Sequence, residues 1–187
     1  GRLRVLGEDD PFTLITMNNL GALYRSAGRL DEAEAILRRA LAIQERVHGP
    51  SHKNTLTTVG NLGSLLLDRG QVEEALVLHR RMYETSRETL GGEHVATLGA
   101  GSRLGQTLLR SKNLDEARSL LLSVLESYER TFGSDHRSSI GTRRVLAKVF
   151  AAQGRHDEAT AQLQRSLSIA QSLPDRSDAL IAELQSE

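Results

Sequence analysis

The 187-residue sequence contains no cysteine, so it can form no disulfide, offers no thiol nucleophile and builds no thiolate metal site. It also lacks an excess of either charge: 24 Lys and Arg balance 24 Asp and Glu. No overall field therefore draws the chain to nucleic acid or to an anionic membrane, and neither is an expected partner. Long apolar runs are missing too. None approaches the roughly 20 residues that a membrane helix needs, and the opening "GRLRVLGEDD" has no apolar core long enough for a signal peptide. A cytoplasmic chain is expected. What is present, 39% hydrophobic and 26% charged residues, suits a soluble, folded chain.

The dominant feature is a repeat. "SAGRLDEAEAILRRAL" at 26–41 returns as "DRGQVEEALVLHRRMY" at 68–83, "SKNLDEARSLLLSVL" at 111–125 and "AQGRHDEATAQLQRSL" at 152–167. Gly7, Gly49, Gly91 and Gly133 stand 42 residues apart. The same step joins Leu20, Leu62, Leu104 and Leu146, then Gly21, Gly63, Gly105 and Ala147, then Ala33, Ala75, Ala117 and Ala159. Four units follow, at 7–48, 49–90, 91–132 and 133–174. Arg4 and Val5 fall in register with Arg46 and Val47, so residues 1–6 read as the end of a preceding repeat.

Each unit carries two helical patterns, about 11–27 and 31–47 in the first, joined by a turn that usually contains Gly. No period-two strand pattern appears. The small-residue column at Gly21, Gly63, Gly105 and Ala147 lies on the apolar stripe, as expected where another helix crosses too closely for a larger side chain. One hairpin cannot cover its own apolar faces, so neighbours must stack into a continuous core. Unit three departs from the pattern, with Lys112 where the others have Gly28, Gly70 and Gly154, and with Gly99 and Gly101 inside its first helix. In the tail, Pro174 breaks a helix, Ser177 offers a cap, and Leu180, Ile181 and Leu184 form one apolar face, so residues 175–187 read as a capping helix.

These units, and "MNNLGALYRSAGRLDEAEAILRRALAIQERVHG" above all, resemble the tetratricopeptide repeat in the 42-residue form of kinesin light chains and many bacterial signalling proteins. The resemblance covers 7–174. It implies an all-α, right-handed superhelical solenoid of four helical hairpins plus the C-terminal capping helix.

Candidate chemistry is sparse. His52, His94 and His136 recur in one column. Equivalent positions in stacked hairpins lie on the order of 10 Å apart, whereas zinc needs its ligands about 2 Å from one centre, so a role beside a helix start is favoured over a metal site. "GAGSRLGQ" at 99–106 has the wrong glycine spacing for a dinucleotide loop and no preceding strand. The acidic pairs Asp31/Glu32, Glu73/Glu74, Asp115/Glu116 and Asp157/Glu158 sit where helix dipoles favour negative charge. No catalytic constellation emerges, and neither a cofactor nor a metal is implied.

The resemblance implies that the first helix of each unit lines a concave groove holding an extended peptide or a partner helix. The face beside the buried stripe then offers Asn18, Arg25, Ser64, Leu67, Gln106, Leu109, Arg110, Arg144 and Lys148. Asn18 and Asn19 match the paired asparagines of the kinesin-light-chain-like pattern, suited to bonding a peptide backbone, and Asn61 keeps the second of the pair. Arg25, Arg110, Arg144 and Lys148 outnumber Asp68 on that face, so an acidic segment is the expected ligand. The functional expectation is a non-catalytic protein- or peptide-binding scaffold module. An alternative assigns the array to self-association as a homo-oligomer, or to regulating another domain of a larger signalling protein.

Overall fold

The computed structural model describes residues 7–134, 136–172 and 178–186. Among the described residues every regular element is an α-helix: α1 (Pro11–Ser26), α2 (Leu30–His48), α3 (Lys53–Asp68), α4 (Val72–Leu90), α5 (Val95–Arg110), α6 (Leu114–Phe132), α7 (Ser139–Ala152), α8 (His156–Ser172) and α9 (Asp178–Ser186). The chain divides into two compact units, Gly1–Thr89 and Leu90–Glu187. No described helix is long and apolar enough to cross a membrane.

The starts of the helices explain the histidine column. Asp10 Oδ1 accepts the amides of Phe12 and Thr13 at 2.9 and 3.1 Å, capping α1. One period on, His52 Nδ1 accepts the amide of Asn54 at 3.3 Å, and His94 Nδ1 accepts that of Ala96 at 3.1 Å. His136 Nδ1 accepts the amide of Ser138 at 3.2 Å, just ahead of α7. The column is thus a set of backbone acceptors, as its place beside the helix starts suggested.

The turns inside the hairpins share one hydrogen-bond pattern. After α1, Arg29 N donates to Tyr24 O at 2.9 Å and Gly28 N to Arg25 O at 3.1 Å, and the same two bonds recur after α3, α5 and α7. The pattern requires a left-handed residue just past the helix end. Gly28, Gly70 and Gly154 supply it, with φ of 73°, 78° and 75°. Lys112 supplies it in the third turn at φ 63°, without glycine's freedom.

In the first unit, Ala33, Leu37, Leu62, Leu65, Leu66, Leu67 and Ala75 form one buried cluster, and Leu14, Met17, Ala40 and Ile43 form another. The small-residue column is a helix crossing. A Cβ at Gly21 would lie 2.6 Å from Leu37 Cδ2, and one at Gly63 would lie 2.6 Å from His79 Nε2. Each glycine therefore faces the residue 16 positions further on, one turn beyond the alanine column. Buried His79 stands where Leu37 stands in the preceding hairpin, and its Nε2–H donates to the Gly60 carbonyl at 3.2 Å.

The second unit repeats the crossing, with Gly105 against Leu121 Cδ2 at 2.5 Å. Leu98, Val124 and Tyr128 pack together there, and burial holds the Tyr128 phenol above its ordinary pKa. Ile181 and Leu184 of α9 pack on Ile140, Ile169 and Ala170, the covering role expected of the tail. The side chain of Leu180, together with Pro174, Ser177, Arg4 and Val5, lies outside the described residues.

Candidate functional site

The two units treat the expected groove residues differently. In the first unit most of them are spent on the fold. Asn18 Oδ1 accepts from Asn61 Nδ2 at 3.0 Å and lies 3.1 Å from the Thr58 hydroxyl, which ties α1 to α3. Arg25 Nε donates to Asp68 at 2.6 Å, so its charge is answered within the unit. Ser64 and Leu67 are not the surface contacts expected from the sequence. Both are buried, Ser64 donating to the Gly60 carbonyl at 2.9 Å and Leu67 packing with Leu62 and Ala75 in the core. Of the unit's expected residues, Asn19 alone is exposed rather than buried or half-buried.

A positional rule explains these pairings. Asn18 and Asn61 are 43 residues apart, as are Arg25 and Asp68. A residue on α1 thus faces the residue one period plus one step later on α3. That offset is legible in the sequence once the 42-residue register is known.

In the second unit the expected residues come together. Gln106, Leu109 and Arg110 of α5 and Arg144 and Lys148 of α7 line one cleft of about 310 Å³, joined by Gly141 and Val145. Cleft and lining all lie within the unit. Three of the seven lining residues are cationic and none is acidic, while Leu109 and Val145 supply an apolar wall. Gln106, Arg110 and Lys148 are exposed, and Leu109, Arg144 and Val145 are half-buried. Such a cleft can receive a carboxylate beside an aliphatic contact. Ser102, on the same face, is engaged with the Thr142 hydroxyl at 2.6 Å, the counterpart of the contact between Asn18 and Thr58.

Gly141 and Val145 line the cleft without being among the residues expected from the sequence. Val145 occupies the column of Asn19 and Asn61, which the sequence marks only by its asparagines. Gly141 occupies the column of Ile15, Thr57 and Gly99. Its signal was the loss of a side chain from a position where the first two units carry one. Among the described residues, no group of three or more His, Asp or Glu side chains could hold a metal ion.

Helical hairpins repeated at one period, with a glycine crossing in each of the first three and a shared turn, define a helical repeat protein. The chain belongs to the tetratricopeptide repeat family, whose model matches residues 2–46, 12–88 and 93–172. Repeats of this type serve generally as protein-interaction scaffolds.

Solved structures agree on the fold. The chain is similar to nearly identical TPR-like repeats from a candidate kinesin light chain of Podosopora anserina, with a TM-score of 0.75 and 27% identity over 94% of this chain and 83% of that one. A single-substitution form of those repeats gives a TM-score of 0.77 at 26% identity, covering 90% and 79%. BtubC of P. vanneervenii matches in fold, with a TM-score of 0.78 and 21% identity over 94% of this chain and 73% of that one. Curated proteins gave no match.

Proposed function

We propose that the chain is a non-catalytic protein-binding module, and that its second unit holds an acidic, extended peptide segment in the cleft between α5 and α7. The observation that carries this reading is the lining: Arg110, Arg144 and Lys148 around one cleft, with no carboxylate among them. Single exposed charge pairs contribute only about 0–1 kcal/mol, so selectivity comes from several acting together with the apolar wall. The test is capture of binding partners from a lysate, followed by mass spectrometry, with the parent chain and with Arg110→Glu/Arg144→Glu. Partners lost from the double variant should carry acidic segments. Recovery of the same partners by both proteins would contradict the assignment.

A second reading, self-association, rests on Leu23. This side chain is 62% exposed on α1, whereas its register counterparts Leu65 and Val149 are fully buried. Phe12 and Ile15 of the same helix are exposed too, at 63% and 43%. Light scattering on the parent and on Leu23→Glu decides it: a dimer abolished by the substitution supports the reading, and a monomer in both cases removes it.

A further inference from the structure

Gly141 has no reason within the chain to be glycine. The crossing glycines are fixed by neighbours 2.5–2.6 Å from where a Cβ would stand, and the turn glycines by positive φ. A Cβ on Gly141 would meet nothing within 4 Å, and its φ is not positive. The column also accepts side chains, since Ile15 and Thr57 occupy it in the first unit, and its other glycine, Gly99, is equally open but is not part of the cleft lining. Glycine gives up backbone entropy on folding and is a poor choice in a helix without a compensating role. What distinguishes Gly141 is its position in the wall of the basic cleft, on the same helix as Arg144 and Lys148 and across from Arg110.

Resting on the proposed peptide-binding role, we infer that Gly141 is the specificity-determining aperture of the cleft: it leaves the α7 backbone bare so that the main chain of an acidic peptide lies flush against it. A bare helix surface admits another backbone more closely than any side chain allows. The peptide's carboxylates then reach Arg110, Arg144 and Lys148 from a chain held low in the cleft, and one aliphatic side chain meets Leu109. The residue selects for extended segments, because a helical ligand would carry its own side chains into the space above Gly141.

The probe is a fluorescein-labelled peptide, Asp-Glu-Asp-Leu-Glu-Asp-Glu, followed by anisotropy against the full chain. Gly141→Leu fills open space, so its helical spectrum is expected to stay intact and its Tm to stay level or rise, while affinity for the peptide falls at least tenfold and Gly141→Ala gives a smaller loss. Independently of any substitution, the Gly141 amide resonance should shift when the peptide is titrated into the parent chain. Unchanged affinity of Gly141→Leu, or an unmoved Gly141 resonance at saturation, overturns the inference. If Arg110→Glu/Arg144→Glu loses the peptide while Gly141→Leu keeps it, the binding role stands and this inference alone falls. Failure of the parent to bind the peptide removes both.

Discussion

Lys112 adopts, in the turn between α5 and α6, the left-handed backbone that Gly154 adopts between α7 and α8, at φ 63° against 75°. The hydrogen bonds of the two turns are the same: Asn113 N donates to Leu108 O as Arg155 N donates to Phe150 O, each at 2.9 Å. The hairpin has kept its geometry and accepted the cost of a Cβ there. Left-handed backbone costs a residue with a Cβ about 1–2 kcal/mol, partly offset by glycine's greater freedom in the unfolded chain. Lys112→Gly should therefore stabilise the protein by about 1 kcal/mol, seen as a higher midpoint in urea with an unchanged slope. A lower midpoint would show that the lysine side chain contributes more than its backbone costs.

Gly105 and Leu121 test the helix crossing. A methyl group at Gly105 would fall 2.5 Å from Leu121 Cδ2, so Gly105→Ala should destabilise by about 1–3 kcal/mol despite alanine's better helix propensity. Leu121→Ala alone should cost about 2–5 kcal/mol. The double variant should cost less than the sum, because the alanine at 121 makes room for the methyl group. Additivity in urea titrations would mean that the helices do not meet at this pair.

His94 tests the capping column. Removing its acceptor with His94→Ala should cost about 1 kcal/mol, whereas His94→Asp, the residue that caps α1 at position 10, should restore the loss. Thermal melts of the three proteins check this, and equal loss in both variants would assign His94 a packing role instead.

Tyr128 carries a pH dependence. Its phenol is buried with Leu98 and Val124, and burial raises its pKa above 10.0. The folded state therefore holds the proton more tightly than the unfolded chain. This contribution to stability is fully present below about pH 10 and is lost as pH rises through the folded pKa. Absorbance at 295 nm should show one phenol ionising late, and Tyr128→Phe should weaken the fall in Tm as pH rises above about 10. Unaltered alkaline melting in that variant would contradict it.

The hairpin pattern was legible because the 42-residue period writes packing into columns: the residues at 21, 63 and 105 are glycine because a helix crosses there, and those at 10, 52, 94 and 136 are acceptors because a helix starts there. The candidate site was only half legible. Arg25, Leu67, Leu109 and Ala151 share a column, yet Arg25 is paired, Leu67 is buried, Leu109 lines a cleft and Ala151 is exposed. A column fixes the direction of a side chain and not what faces it. For Arg25 that is Asp68, 43 positions on. Gly141 stayed hidden for another reason, since a missing side chain shows its meaning only when the space it leaves is seen to be open.

The most direct test of the central claim, that the cleft between α5 and α7 is a site for acidic segments, is a charge swap read by anisotropy. Two labelled peptides, one rich in Asp and Glu and its counterpart with Lys at those positions, are titrated against the parent chain and against Arg110→Glu/Arg144→Glu. The parent should prefer the acidic peptide, with affinity falling as salt rises. The double variant should lose at least tenfold in affinity for it and reverse the preference, with helical content and Tm nearly unchanged. An unaltered preference in a folded double variant would contradict the claim.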